Sequence, residues 1–295
     1  MGRGCEMSYR VFFFLGIFFT KIFASESFII QELDSGKIIE QKGDLSSQVS
    51  PCSTFKIALS LMGFDSGILQ NENLPVWTYE EIFSASIGQQ PNAYEKDYPL
   101  LLKSQLGGLP DKEREKTVVF LTSLHKKSHD PKSWIRNSCA WYSQAVTTQI
   151  GWEQFRHYVQ MFHYGNEDIS GDEGKNNGLT NSWLSSSLGI SPLEQIAFLQ
   201  SILTKKFPLS SHAYEETKKI FFLETLPNGW GLNGKTGTGI SPSGYSIGWF
   251  VGWITKEEKT LLIAFLIQNE KNEDLPLGQR AKNRVKDLVS GEIFH

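Results

Sequence analysis

The stretch Pro51-Cys52-Ser53-Thr54-Phe55-Lys56, continued by the apolar run Ile57-Ala58-Leu59-Ser60-Leu61-Met62, carries the strongest signal in this chain. It predicts a buried helix with Ser53 at its N-terminus, where free N–H groups and the positive dipole end suit an oxyanion. Residues three apart share one face of a helix, so the Lys56 amine can reach the Ser53 hydroxyl. A serine needs such a base to become a nucleophile at neutral pH. Ser53 and Lys56 are therefore the candidate nucleophile and base.

A second glycine-rich motif, Gly234-Lys235-Thr236-Gly237-Thr238-Gly239, lies far downstream. Its flanks, Gly229-Trp230-Gly231-Leu232 and the aromatic segment from Tyr245 to Ile254, are typical of strands bounded by glycine. We expect the motif to lie on a strand whose missing side chains admit a substrate backbone. A glycine-rich hairpin turn is the alternative for the motif alone. Its pairing with Ser-x-x-Lys makes the turn the weaker explanation.

Five motifs in order resemble one known family. They are Ser53-Thr54-Phe55-Lys56, Ser138-Cys139-Ala140, Tyr164-Gly165-Asn166, Trp183-Leu184 with Ser191-Pro192, and Lys235-Thr236-Gly237. Together they resemble the penicillin-recognising serine enzymes and, within them, the class D (oxacillinase-type) β-lactamases. The Ser-Asp-Asn that accompanies Ser-x-x-Lys in class A enzymes is not found at the matching place. The resemblance runs from about Phe28 to the C-terminus, apart from one longer stretch.

The resemblance implies an α/β fold in which a central antiparallel sheet meets a helical region, with the active site at their junction. It implies hydrolysis of the β-lactam ring of penicillin-type antibiotics through an acyl-enzyme on Ser53. In the family, carbon dioxide from bicarbonate converts the lysine amine into a carbamate, so Lys56 is the expected modified residue and general base. No metal and no organic cofactor is implied. Ser138 is expected to relay a proton toward the lactam nitrogen, while Lys235 supplies positive potential and orients that serine.

Substrate binding is implied for the strand motif and for one arginine. Thr236, Gly237 and Thr238 are expected to line the substrate, with the Thr238 N–H joining that of Ser53 in binding the oxyanion. A guanidinium can clamp the substrate carboxylate with two hydrogen bonds, and Arg280 best matches the family's arginine. Arg284, one helical turn on, stays open as the alternative, and either could instead be a solvated surface arginine.

Supporting roles fall on the remaining motifs. The Trp183 indole, whose N–H is its only donor, is expected to bind the carbamate, with Tyr164 and Asn166 supporting the site. Ala140 departs from the family's Ser-x-Val, where a valine lies beside the catalytic lysine. Carbamate formation needs a neutral amine, which burial favours. The smaller Ala140 predicts weaker carboxylation of Lys56 than in a valine-bearing relative.

Two rival functions are considered. A penicillin sensor that is acylated without hydrolysis resembles class D enzymes, but such receptors carry membrane spans and an output domain that this sequence does not show. A peptidoglycan transpeptidase or carboxypeptidase shares Ser-x-x-Lys and Lys-Thr-Gly, yet the Tyr164-Gly165-Asn166 and Trp183 motifs argue against it. A weakly active β-lactamase-like protein, with Ala140 as its defect, stays open. Substrate range among penicillins, cephalosporins and carbapenems is not predicted, and a homodimer is left open.

Composition fits an exported enzyme with one catalytic domain, residues 25–295, because 295 residues with 40% hydrophobic content can bury a large core. Residues 1–24 predict a signal peptide, with an apolar stretch from Val11 to Thr20 too short to span a membrane and cleavage after Ala24. A buried first helix is the alternative. Cleavage would remove three positive charges and one negative charge, moving the formal charge from −3 to −5. We expect a periplasmic protein with no stable membrane anchor after processing and no nucleic-acid partner.

Two cysteines, Cys52 and Cys139, survive that processing and flank the two candidate active-site serines. Their positions allow a disulfide, but two small buried thiols are favoured. The histidines His125, His129, His157 and His163 are scattered without zinc-ligand spacing and are interpreted as surface or packing residues.

The pattern also predicts individual elements. Strands are expected at 27–33 and 38–40, joined by a turn, and at 261–268, with helices at 143–150, 152–161 and 193–204. The segment 84–130 is longer than the family usually carries between its first two motifs. It contains the charged run Asp111-Lys112-Glu113-Arg114-Glu115-Lys116. We favour a solvated loop there over an extra surface helix or lid.

Overall fold

The computed structural model describes residues 25–84, 99, 102–103, 106, 109–241, 244–269 and 275–291. The predicted signal peptide, residues 1–24, lies outside these ranges. In them, the helices are all too short or too polar to cross a membrane.

One six-stranded antiparallel sheet organises these residues. Its strands occur in the spatial order β2-β1-β6-β5-β4-β3. They are β1 Ser25–Glu32, β2 Ile38–Lys42, β3 Phe222–Thr225, β4 Gly231–Ile240, β5 Ser246–Lys256 and β6 Lys259–Gln268. The predicted N-terminal hairpin is therefore confirmed, and so is the prediction that the Lys235 motif lies on a strand.

Ten helices are assigned within the described residues. They are α1 Lys56–Asp65, α2 Tyr79–Ser84, α3 Asp111–His125, α4 Pro131–Arg136, α5 Ala140–Ile150, α6 Trp152–Met161, α7 Gly178–Asn181, α8 Pro192–Leu203, α9 Ser211–Ile220 and α10 Leu277–Val289. Every helix predicted from periodicity is present. The start of α8 is fixed by a capping box between Ser191 and Glu194, with Pro192 in the first turn.

The two faces of the sheet bury different helices. Side chains alternate along a strand, and β5 sends Trp249 and Val251 to the large helical core but Phe250 to the opposite face. That opposite face is covered by α10, whose buried apolar side chains recur every four positions. They are Leu277, Ala281, Val285 and Val289. The sheet thus lies between α10 and the helical region, as the α/β expectation requires.

Helix α1 runs through the centre of the helical region. Its first nine residues, Lys56 to Phe64, are all buried, which is the pattern of a core helix. A short 3₁₀ turn, Cys52–Phe55, leads into it and carries Ser53. The nucleophile therefore lies where the sheet meets the helices.

The long segment before the Ser138 motif contains α3. Pro110 precedes the helix. Asp111 and Glu113 occupy its first turn, where their negative charges interact favourably with the helix dipole. Val118 packs on Leu102 and Leu106, while Val119 and Phe120 face outward. The favoured expectation of a solvated loop is wrong over Asp111–His125, which is the surface helix offered as the alternative.

Candidate active site

The Ser53 hydroxyl and the Lys56 amine lie together at the start of α1. Lys56 Nζ is 3.3 Å from Ser53 Oγ. Lys56 is fully buried, whereas Ser53 is half-buried. Cys52, just before the serine, has a left-handed φ of 50°, which turns the chain sharply into the 3₁₀ turn. The predicted pair is thus assembled in one turn of helix.

The electrostatics of this pair favour a neutral amine. Burial lowers the pKa of Lys56 from 10.5 to about 8, and the nearby thiols of Cys139 and Cys52 oppose part of that effect. At pH 7 a pKa of about 8 leaves roughly one amine in ten neutral, far more than for an exposed lysine. A neutral amine can accept the Ser53 proton.

Strand β4 packs directly against the Ser53 turn, and its glycines make that approach possible. A Cβ on Gly237 would lie 2.9 Å from the Pro51 carbonyl oxygen, and one on Gly239 would lie 2.6 Å from Cys52 Sγ. The sequence interpretation assigned these missing side chains to a substrate backbone. The structure shows another role, because the absence of side chains at these glycines lets the turn that carries Ser53 pack against β4.

Lys235 points from β4 into the same junction. It is only 4% exposed, and its Nζ donates to the Thr236 carbonyl oxygen at 2.9 Å. Burial, with repulsion from Lys56, holds the pKa of Lys235 well below its usual value. The two candidate lysines are therefore neighbours. In the described ranges no hydrogen bond joins Lys235 to Ser138, the serine it was expected to orient.

The Ser138 motif lies close to Lys56. Ser138 has a left-handed φ of 55°, and its N–H donates to the Ile135 carbonyl at 3.2 Å. Cys139 is the residue that precedes α5, and it is close enough to Lys56 to influence its pKa. Ala140 is the first residue of α5 and is half-buried. The loop thus brings Cys139, the residue after Ser138, close to Lys56.

Trp183 is fully buried, yet its indole Nε1 has no hydrogen-bond partner among the described residues. Its ring lies 5.4 Å from that of Phe55, the residue before Lys56. A buried donor without an acceptor is costly, so this one, next to the residue before Lys56, is a candidate for binding an added group.

Ser50 ties the Trp183 segment to the nucleophile turn. Its Oγ donates to the Trp183 carbonyl at 2.9 Å and accepts from the Ser185 N–H at 3.0 Å. Its own carbonyl accepts from Trp249 Nε1 on β5 at 3.0 Å. Sequence reasoning missed Ser50, because a serine three residues before the nucleophile carries no motif of its own.

The Tyr164-Gly165-Asn166 motif braces the same segment from behind. Asn166 donates from Nδ2 to the Ser187 carbonyl and accepts at Oδ1 from the Gly189 N–H, both at 2.9 Å. Gly165 has a φ of 56°, and a Cβ there would lie 1.9 Å from the Gly189 carbonyl oxygen. Tyr164 is fully buried against Phe55. These residues thus anchor the chain around Gly189 and pack against Phe55.

The first turn of α10 meets β4 beside Thr238. The Gly278 N–H donates to Thr238 Oγ1 at 3.0 Å, so Arg280 lies within the turn that touches the strand motif. Arg284, one turn later, pairs with Glu26 of β1 at 2.6 Å. The structure therefore separates the two arginines, and Arg280 is the one beside the motif.

Neither a disulfide nor a metal cluster competes with this chemistry in the described part of the chain. Cys52 and Cys139 are buried free thiols, as favoured from the sequence, and burial raises the pKa of Cys52 to about 11 and of Cys139 to about 12. No cluster of three or more His, Cys, Asp or Glu side chains with metal-binding geometry occurs among these residues. His125 and His129 are buried, whereas His163 is exposed.

Comparison with known proteins agrees with this geometry. Residues 32–106 and 111–290 match the family model described as the penicillin binding protein transpeptidase domain. The chain is 34% identical over 264 residues to β-lactamase OXA-9 of Klebsiella pneumoniae, covering 87% of this chain and 84% of OXA-9. It is 34% identical over 230 residues to β-lactamase OXA-1 of Escherichia coli, covering 77% of this chain and 70% of OXA-1.

Among solved structures, the OXA-427 class D β-lactamase superposes with a TM-score of 0.72 at 33% identity, over 90% of this chain and 97% of that one. The fold and the family model place the chain in the penicillin-recognising, transpeptidase-type class. Within that class, the chain belongs to the class D serine β-lactamases.

Proposed function

We propose that this protein hydrolyses the β-lactam ring of penicillin-type antibiotics through an acyl-enzyme on Ser53. The observation that supports this most directly is the 3.3 Å approach of the buried Lys56 amine to the Ser53 hydroxyl. The enzymes to which the chain is 34% identical carry the name β-lactamase, and they match it over most of both chains. The reaction is acyl transfer in two halves, in which Ser53 is acylated and water then releases the opened acid.

In the first half, Ser53 Oγ attacks the lactam carbonyl carbon while its proton passes to the base at Lys56. The developing oxyanion is bound by the backbone N–H groups of Ser53 and Thr238, which lie on the two elements that Gly237 and Gly239 allow to touch. Such donors are worth roughly 3 to 4 kcal/mol each. Ser138 then donates its proton to the lactam nitrogen as the ring C–N bond breaks and recovers one from the protonated base at Lys56, while Lys235 supplies positive potential.

The residues present fit a carboxylated lysine. Lys56 is fully buried with a pKa lowered to about 8, and carboxylation requires the neutral amine. The Trp183 indole N–H is a buried donor with no acceptor among the described residues, and it would hold the added carboxylate. Carbon dioxide bound to Lys56 as a carbamate would supply the general base for both halves of the reaction.

Substrate orientation rests on the edge formed by β4 and the start of α10. Penicillins carry a carboxylate, and the Arg280 guanidinium, in the turn beside Thr238, is the group that would clamp it. Thr236 and Gly237 line the same edge. Arg284 is already engaged with Glu26 and has a structural part.

The test follows intact mass and lactam absorbance together when purified mature protein meets a penicillin, with and without bicarbonate. Rapid loss of absorbance, raised by bicarbonate, with a transient adduct that Ser53→Ala abolishes, is the expected result. A lasting adduct on Ser53 without turnover would replace the hydrolase by an acylated sensor or a penicillin-binding protein. That outcome would also remove Lys56 from deacylation.

We also propose that residues 1–24 direct export to the periplasm and are removed there. The argument is the apolar stretch after Arg10 and the small residue Ala24 before Ser25. N-terminal sequencing of protein recovered from a periplasmic extract should begin at Ser25. Recovery of the uncleaved chain from the cytoplasm alone would contradict export.

A further inference from the structure

Helix α3, in the segment that is longer than in the family, ends against the loop that carries Ser138. The last residue of the helix, His125, has Nε2 2.8 Å from the Asn137 carbonyl oxygen. Trp141 Nε1 donates to the His125 carbonyl oxygen at 2.7 Å. One residue therefore holds the chain immediately before Ser138 and three residues after it.

The loop between those two bonds is held in a conformation that an isolated chain avoids. Ser138 has a φ of 55°, a left-handed value that is uncommon for a residue with a side chain. Such conformations persist when the surroundings fix them, and they concentrate at functional sites. Two backbone bonds, Ser138 N–H to Ile135 and Cys139 N–H to Trp134, fix the loop from α4. His125 fixes it from α3.

The protonation state of His125 makes its Nε2 a permanent hydrogen-bond donor. The side chain is 4% exposed, and burial lowers its pKa to about 3. A carbonyl oxygen only accepts, so the neutral ring must carry its proton on Nε2. The donated bond to Asn137 is then unaltered across neutral pH.

We propose that His125 is the positioning residue for Ser138, and that α3 acts through it to set where the Ser138 hydroxyl stands. This rests on the role of Ser138 as proton donor to the lactam nitrogen. The long segment is then part of the catalytic scaffold. Sequence reasoning favoured a solvated loop there and classed His125 as a surface or packing residue.

A double-mutant cycle separates positioning from plain stability, because residues that act through one group have non-additive effects. The rate constant for acylation of Ser53 by a penicillin is measured by stopped-flow absorbance for His125→Leu, Ser138→Ala and the double variant. We expect His125→Leu to slow acylation about tenfold or more. In the Ser138→Ala background, His125→Leu should reduce the acylation rate constant little further. His125→Gln should restore most of the rate, because its amide nitrogen can replace Nε2 as donor.

Val118→Ala is the matched control, since Val118 is buried in the same helix and packs on Leu102 and Leu106. It should lower the melting temperature, and any effect on acylation should be the same with and without the Ser138→Ala change. If His125→Leu does not fold, Trp141→Phe, which removes the bond to the His125 carbonyl oxygen, takes its place in the cycle.

An equal reduction of the acylation rate constant by His125→Leu with Ser138 present and with Ser138→Ala would overturn the inference. The proposed function would then still stand. Acylation unaffected by Ser138→Ala, with Ser53→Ala inactive, would remove the proton-donor role of Ser138 and the inference with it. Retention of the full rate by His125→Leu would also overturn it.

Discussion

A Cβ placed on Gly237 would lie 2.9 Å from the carbonyl oxygen of Pro51, so strand β4 touches the backbone of the nucleophile turn. Gly237→Ala must then push apart the two elements that meet at the active site. We expect a loss of about 1 to 3 kcal/mol in the free energy of unfolding and a fall in kcat/KM. Urea denaturation and steady-state kinetics measure both quantities.

Gly231→Ala, on the same strand, is the control, because its nearest neighbour is the side-chain oxygen of Thr255 at 3.3 Å. Gly231→Ala should lower both the free energy of unfolding and kcat/KM by less than Gly237→Ala does. A Gly237→Ala protein with wild-type kinetics would show that the close approach is unimportant for the reaction.

Lys56 makes stability depend on pH. Its pKa is about 8 in the folded chain and 10.5 when unfolded, so between those values the unfolded chain holds the extra proton and stability rises with pH. Below pH 8 the buried charge costs about 3 kcal/mol, taking about 1.36 kcal/mol per pKa unit. In degassed buffer without bicarbonate, Lys56→Met should therefore be inactive yet more stable at pH 7. Its advantage should fade toward pH 10.5, and an advantage that is constant with pH would contradict the assignment.

Trp183→Phe removes an indole N–H that has no partner in the described structure. Deleting an unsatisfied donor should cost little stability, but activity should fall and bicarbonate should restore it only in part. The carbamate signal in a ¹³C NMR spectrum with labelled bicarbonate should weaken as well.

Trp134→Phe is the comparison, because Trp134 Nε1 donates to Ser143 Oγ at 2.9 Å. That change should lose about 1 kcal/mol of stability and keep the wild-type bicarbonate dependence. Full activity of Trp183→Phe would remove its role in the site.

Ala140→Val should strengthen carboxylation of Lys56. Ala140 is half-buried beside Cys139, which is close enough to Lys56 to affect its pKa, so added methyl groups would exclude water there. The bicarbonate concentration that gives half-maximal activity should fall in Ala140→Val and rise in Ala140→Gly. No change in either variant would show that this position does not control the modification.

Arg280→Ala should raise KM for penicillins about tenfold or more, since a charge-assisted pair with a carboxylate is worth roughly 1.5 to 3 kcal/mol. Arg284→Ala should leave KM unchanged, because Arg284 pairs with Glu26 of β1. Its effect should fall on the free energy of unfolding. The reverse pattern in steady-state kinetics would exchange the two assignments.

The elements that sequence analysis found are those with a local signal. The hairpin of β1 and β2, the strand of the Lys235 motif and helices α6 and α8 follow from periodicity and turn residues. The Ser53–Lys56 contact follows from helical spacing alone. Helix α3 had a signal that was underused, because Pro110 and the acidic first turn are start signals for a helix.

Contacts between segments far apart in the sequence could not be predicted. Nothing local in Ser50 or His125 shows that they bond to segments far along the chain, at Trp183 and Asn137. The glycines of β4 were recognised as unusual but were assigned to substrate, since the sequence does not reveal which backbone lies opposite. The open indole N–H of Trp183 likewise depends on what surrounds it in the folded chain.

The pairing of β1 with β6 has a consequence for how the protein is made. Glu32 lies opposite Leu261, so the first strand has no neighbour on that side until almost the whole polypeptide has emerged. Long-range pairing of this kind makes folding slow and late. A chain delivered across a membrane in extended form would thus reach its destination before its sheet could close, and synthesis interrupted short of β6 would leave an N-terminal strand exposed to other chains.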